Sequence, residues 1–172
     1  MLWQNLLLRC AMLYDREAAV AYAHEWAYHR NPRFYDFENI GGDCTNFISQ
    51  CIYAGCGVMN YTPVTGWYFI SLNNRAPAWT GVPFLYNFLT KNKGAGPYGN
   101  EMPLDHAMVA DVIQLSRDGY RYSHSLFVVR VDDPPSPENI WITTHTLDSD
   151  NRQLSTYTYA KSRLIHIVDA RL

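Results

Sequence analysis

The chain is short of charge. Asp, Glu, Lys and Arg make up 17% of its 172 residues, and the formal net charge is −2. That balance argues against broad electrostatic capture of nucleic acid, which needs a basic face or stripe. Long apolar runs are missing too. None approaches the ~20 residues of a membrane-spanning helix, so no membrane insertion is expected. The opening segment from Met1 to Arg9 has no basic stretch ahead of its apolar part and no small-residue cleavage site, so it reads as a poor signal peptide. As it stands the chain is expected to be cytoplasmic, or extracellular if it is a domain cut from a longer secreted protein. Cysteine is sparse: Cys10, Cys44, Cys51 and Cys56. An even count permits disulfides, but a chain of this length buries a core without them. No repeat, low-complexity tract or linker interrupts the sequence, and a single domain over residues 1–172 is expected.

What the chain has in quantity is apolar and aromatic surface. Hydrophobic residues make up 48%, with 13 Tyr, 5 Trp and 7 Phe, as suits a folded globular domain. Asp15 can cap a helix over 16–30, with Ala19, Tyr22, Ala23 and Trp26 on one face, ended by Asn31-Pro32. Apolar residues at Cys44, Phe47, Ile48, Cys51 and Ile52 follow a 3.6 period and predict a second helix to about Ala54, with Gly55 as its stop signal. Residues 81–90 suggest a short helix, and 91–100 read as loop. From residue 109 the pattern changes. Val109–Leu115, Tyr120–Val131, Asn139–Thr146 and Arg163–Val168 read as strands, and Asp118-Gly119 marks a tight hairpin. Helices first and a sheet second make an α+β fold, with the N-terminal helices packed on a C-terminal antiparallel β-sheet.

Cys44 carries the most chemical information. Gly41 and Gly42 deliver the chain to it without side chains, so a substrate can approach the backbone closely. It sits in the first turn of its helix, where unpaired N–H groups and the positive dipole end favour a thiolate. The competing reading is a small core hydrophobe at a helix start. A base elsewhere decides between them. Of the six histidines, His24 and His29 read as solvated helix residues, His106 as a loop residue beside Asp105, and His166 as the outward side of the last strand. His124 and His145 lie on neighbouring strands. A turn centred near Ser136 sets His124 against Leu147 and His145 against Leu126, making the two histidines diagonal neighbours on one face. A one-residue slip would put them on opposite faces. On the first register His124 takes the thiol proton and later protonates a leaving amine, while His145, or alternatively Asp148 or Asn151, holds its far nitrogen. The oxyanion would be met by the Cys44 N–H, with Asn39 as a second donor.

These residues carry a family likeness. The run Asp43-Cys44-Thr45-Asn46-Phe47-Ile48-Ser49-Gln50 resembles the catalytic motif of bacterial putative amidase domains, a group related to the NlpC-type and CHAP cell-wall hydrolases of the papain-like superfamily. Tyr14-Asp15-Arg16-Glu17-Ala18-Ala19-Val20 resembles the opening helix of that family. Asp111-Val112-Ile113-Gln114, Ser123-His124-Ser125 and His145-Thr146-Leu147-Asp148 resemble its later strand motifs, in the same order. The resemblance implies a papain-like α+β fold and a cysteine amidase or peptidase with Cys44 as nucleophile, His124 as base and His145 as third residue. Asp43 is a supporting candidate. It also implies a peptide or peptidoglycan-like substrate and no cofactor or metal. Ala110 departs from a usual glycine, and Gly55-Cys56 replaces a common glycine pair.

Two other classes compete. One is a non-catalytic peptide- or peptidoglycan-binding module on the same shell, with residues 57–108 as its aromatic groove. The other is a zinc protein built on the Cys51-x4-Cys56 half-site. A transamidase would share the acyl-thioester intermediate with the hydrolase.

Overall fold

The computed structural model describes residues 13–172. Cys10 and the opening segment lie outside the described residues. Helices come first and an antiparallel sheet second, as the hydrophobic periods require. Helix α1 (Arg16–Trp26) starts at Asp15, whose carboxylate accepts the Ala18 N–H at 3.0 Å. Helix α2 (Cys44–Cys56) ends two residues later than expected. Its stop is Gly57 in the left-handed conformation, φ 65°, with its N–H on the Tyr53 carbonyl. Gly55 serves packing instead. A Cβ there would stand 2.7 Å from the Tyr14 ring and 2.8 Å from the Asp15 carbonyl. Cys56, on the same turn, is buried and donates to the Val58 carbonyl at 3.5 Å.

Two further helices, α3 (Pro77–Thr80) and α4 (Val82–Lys91), each begin with a proline in the first two positions. A small ribbon of β1 (Phe69–Ser71) and β2 (Asn74–Arg75) precedes them. Part of the expected loop over 91–100 is strand β3 (Gly96–Met102). Its composition is poor for a strand, but its whole length pairs with Leu164–Arg171 of β8 (Lys161–Arg171), and tertiary pairing overrides propensity. The remaining strands are β4 (Val112–Ser116), β5 (Tyr122–Val131), β6 (Ile140–Thr144) and β7 (Ser149–Gln153). β7 has no counterpart in the sequence reading. The sheet order is β3-β8-β4-β5-β6-β7, with every neighbouring pair antiparallel.

The sheet separates two cores. On one face Val112, Phe127, Val129, Ile165 and Ile167 meet Phe47, Ile48, Cys51 and Ile52 of α2 and the indoles of Trp67 and Trp79. On the other, Ile113, Leu115, Leu126, Val128 and Leu164 pack beneath Leu154 and two tyrosines, Tyr157 and Tyr159. Asp111 ties α1 to the sheet. It is fully buried and accepts from Arg16 at 2.9 Å, the Met108 N–H at 3.0 Å and the Ile167 N–H at 3.1 Å, while the His166 ring lies at 3.0 Å. Ala110, just before it, holds φ 67°, a conformation glycine adopts without strain. A glycine here would hold that φ without the cost that the alanine side chain brings.

Candidate active site

Cys44 opens α2, and its thiol lies at an edge that β6 leaves free. β6 pairs with β5 only over Phe127–Val131, so the stretch Tyr122–Leu126 has β4 on one side and no strand on the other. On that open side the Ser125 carbonyl accepts the Thr144 hydroxyl at 2.8 Å, and the Ser125 backbone lies close enough to the Cys44 thiol to favour its thiolate. The thiol also lies 3.8 Å from the Thr45 hydroxyl, which in turn is 3.1 Å from that of Ser125. Cys44 is 7% exposed. Burial raises its thiol above the ordinary cysteine range, and the hydrogen bonds from Ser125 and Thr45 oppose that rise by favouring the thiolate.

Asp43 fixes the start of the helix. Its Oδ1 accepts the Phe37 N–H and the Asn46 side chain, both at 2.8 Å, and its Oδ2 lies 2.5 Å from Nδ1 of His145. The His145 ring is stacked on Phe47 with centroids 3.9 Å apart, and its Nε2 is 2.9 Å from the Trp26 carbonyl at the end of α1. Each ring nitrogen faces an oxygen, so neither is free to take a proton from Cys44. His145 therefore joins three elements: the last carbonyl of α1, the first turn of α2 and the end of β6.

The expected diagonal pairing of His124 with His145 is not formed, and the cause is a β-bulge. Val131↔Ile140 and Arg130↔Trp141 follow the register set by the turn, but Val128 pairs with Ile142 and Phe127 with Thr143. One extra residue, Val129, shifts the remaining ladder by one. His145 falls on the α2 face. His124, opposite Leu115 and alternating with Leu126, falls on the other. The one-residue slip has separated the two imidazoles, so His145 does not orient His124. No hydrogen bond joins His124 to Cys44 among the described residues.

The other candidates are dispersed. Asp148 forms a bidentate pair with Arg30 at 2.8 and 3.0 Å. Asn151 is exposed on β7 at φ 51°, its N–H 3.3 Å from the Thr143 hydroxyl. Neither lines the cavity that holds His124. Asn39 is exposed in the turn before the glycine pair. His24 and His106 pair with Asp150 and Asp105, each at 2.7 Å. Cys51 is fully buried, and no cluster of three metal-ligating side chains occurs among the described residues, which leaves the Cys51–Cys56 half-site without partners.

His124 lines a cavity of about 580 Å³ with Arg117, Arg152, Tyr157 and Thr146. Burial, then the charges of Arg117 and Arg152, push its imidazole down to about 4, so it is neutral at pH 7. Thr146 separates this cavity from the cysteine loop. Its hydroxyl accepts the Asp43 N–H at 3.0 Å, donates to Glu38 at 3.1 Å and would lie 3.2 Å from a Cβ on Gly42. Thr146 and Leu147 both hold left-handed φ, 62° and 64°, in the β6–β7 turn, which the Thr146 hydroxyl's bonds to Asp43 and Glu38 help to hold. The sequence reading singled out none of Arg117, Arg152, Tyr157 or Thr146 individually. The one local signal was Arg152 spaced to fold back on Thr156 and Tyr157.

Comparison with known proteins agrees with the motif likeness at the family level. The putative amidase domain family matches residues 13–168. The uncharacterized protein YhbB of Bacillus subtilis (strain 168) is 31% identical over 168 residues, covering 92% of this chain and 52% of that protein. The chain thus spans about half the length of this curated relative. No solved structure matches.

Proposed function

The chain belongs to the putative amidase domain family, and from that premise we propose that it is a cysteine-dependent amidohydrolase acting on a peptide-type amide, with the stem peptides of bacterial peptidoglycan as the substrate class. Cys44 is the nucleophile and His124 the base, on a shell of papain-like kind. The observation that carries this reading is the run of contacts from the Cys44 thiol to the Thr45 hydroxyl at 3.8 Å and from there to the Ser125 hydroxyl at 3.1 Å. They bring the sulfur to the free edge of β5, beside the residue that follows His124 in the chain. The imidazole takes the thiol proton around that edge. The thiolate adds to the amide carbonyl, the amine leaves with the proton returned by His124, and water then releases the acyl group from sulfur. Asp43 and His145 hold the start of α2 in place and do not touch the reacting atoms.

One observation favours a second reading. The thiol is nearly covered and raised by burial, and His124 faces the opposite core, as suits a peptide-binding module that does no chemistry. Mass-spectrometric mapping of covalent adducts after reaction with a peptidyl acyl electrophile at pH 7.5 separates the two. The amidase reading expects an adduct on Cys44 that is lost in Cys44→Ala and slowed at least tenfold in His124→Gln. An unmodified Cys44 in a protein that still binds the peptide would establish the binding module.

A further inference from the structure

The cavity around His124 is unusual in its charge. Arg117 and Arg152 line it, and no carboxylate does. Neither guanidinium takes part in an ion pair among the described residues, whereas Arg16, Arg130 and Arg30 pair with Asp111, Asp132 and Asp148. Arg152 is held rigidly. Its Nε donates to the Thr156 hydroxyl at 2.8 Å and its Nη2 to the Thr156 carbonyl at 3.1 Å, while the guanidinium lies 4.0 Å over the Tyr157 ring. These bonds leave Nη1 free. The Tyr157 hydroxyl is buried and has no hydrogen-bond partner. An orphaned hydroxyl of this kind costs free energy unless something arrives to satisfy it. Ser123 also lines the cavity, while the Thr146 hydroxyl on its wall already donates to Glu38.

We infer that this cavity is a recognition site for a carboxylate of the substrate peptide, held by Arg117 and Arg152, with the Tyr157 hydroxyl as a third donor. A carboxylate supplies the acceptor that each of these groups lacks, and guanidinium–carboxylate pairing is strong and directional. The assignment to substrate rests on the amidase reading, because Thr146 places the cavity directly beside Gly42 and Asp43, the residues that lead into Cys44. It selects acidic peptides over neutral ones, and it makes the side of His124 that faces the cavity the side on which substrate lies.

Calorimetric titration with N-acetyl-alanyl-glutamate, its two monoamides, its diamide and inorganic phosphate tests this. At least one mono-acid is expected to bind tenfold or more tightly than the diamide, and comparison of the monoamides tells an α-carboxylate from a side-chain one. Arg117→Gln and Tyr157→Phe should each weaken the acid several-fold without moving the diamide. Arg152→Gln removes the bonds to Thr156 as well, so its binding is read only if its circular dichroism is unchanged, and the other two variants carry the test. Equal binding of acid and diamide, no detectable binding of either, unchanged affinity in Arg117→Gln and Tyr157→Phe, or inorganic phosphate binding as tightly as the acid would each overturn the inference. Adducts on Cys44 are scored separately. Intact adduct formation without acid preference removes the carboxylate site alone. Acid preference without an adduct removes the amidase reading and leaves a peptide-binding site.

Discussion

Asp43 and His145, far apart in the chain, meet at 2.5 Å with side chains 0% and 1% exposed. Breaking a buried pair leaves one group without its partner, which costs about 3–5 kcal/mol. The neighbours of Asp43 sharpen this, since the same carboxylate holds the Phe37 N–H and the Asn46 amide. We expect Asp43→Ala and His145→Ala each to lower the melting temperature by roughly 10 °C, given about 2–4 °C per kcal/mol for a chain of this size. A loss below 2 °C in differential scanning calorimetry for both would show that the pair does not brace α2.

His124 makes the fold acid-sensitive. Its imidazole is depressed from 6.5 to about 4, first by burial and then by Arg117 and Arg152. In the unfolded chain the ring takes up its proton as pH falls through 6.5, and in the folded chain only near 4. Unfolding therefore takes up a proton in that window. The stabilisation is fully present above pH 6.5 and is lost as pH falls towards 4. At about 1.4 kcal/mol per unit, discounted for partial exposure, the loss is roughly 2 kcal/mol. Urea midpoints between pH 7 and pH 4 should fall, and fall less in His124→Gln. Parallel curves for the two proteins would contradict this.

Elements with strong periods were legible in the sequence, and so was the position of Cys44 at a helix start. The long-range consequences were not. One bulge residue, Val129, moved His145 from the expected face to the other, and nothing in Arg130-Val131 or the turn beyond announces it. β3 was hidden because Pro97, Gly99 and Asn100 are poor strand formers, and its partner strand decides the matter from the far end of the chain. The cationic cavity was unreadable for the same reason. Arg117, His124 and Arg152 come together only when β5, β6 and β7 are in register.

The thiol should respond to pH as a buried group. Burial raises Cys44 above the ordinary cysteine range, so the thiolate fraction at neutral pH is small in the absence of substrate. The rate of iodoacetamide reaction at Cys44, read by mass spectrometry of its own peptide, should keep rising beyond pH 9. Reading that peptide also keeps Cys10 out of the measurement. A rate that levels off near pH 7 would mean a thiolate already formed, and with it a histidine pairing different from the one described.

Gly55→Ala offers the sharpest test of how α1 and α2 pack. In an ordinary helix interior the change gains up to about 1 kcal/mol, because alanine loses less backbone freedom. Here the new Cβ would stand 2.7 Å from the Tyr14 ring, 2.8 Å from the Asp15 carbonyl and 3.0 Å from the Ala19 methyl. The Asp15 carbonyl cannot retreat, since the Asp15 N–H bonds the Gly55 carbonyl at 2.8 Å and the Asp15 side chain caps α1. Overpacking costs about 1–3 kcal/mol and outweighs the helix gain. The expected result is a melting temperature lowered by roughly 5 °C, with Gly57→Ala smaller in effect because a Cβ there meets nothing within 4 Å and only the left-handed φ opposes it. A stabilised Gly55→Ala protein would show that the two helices stand further apart than described.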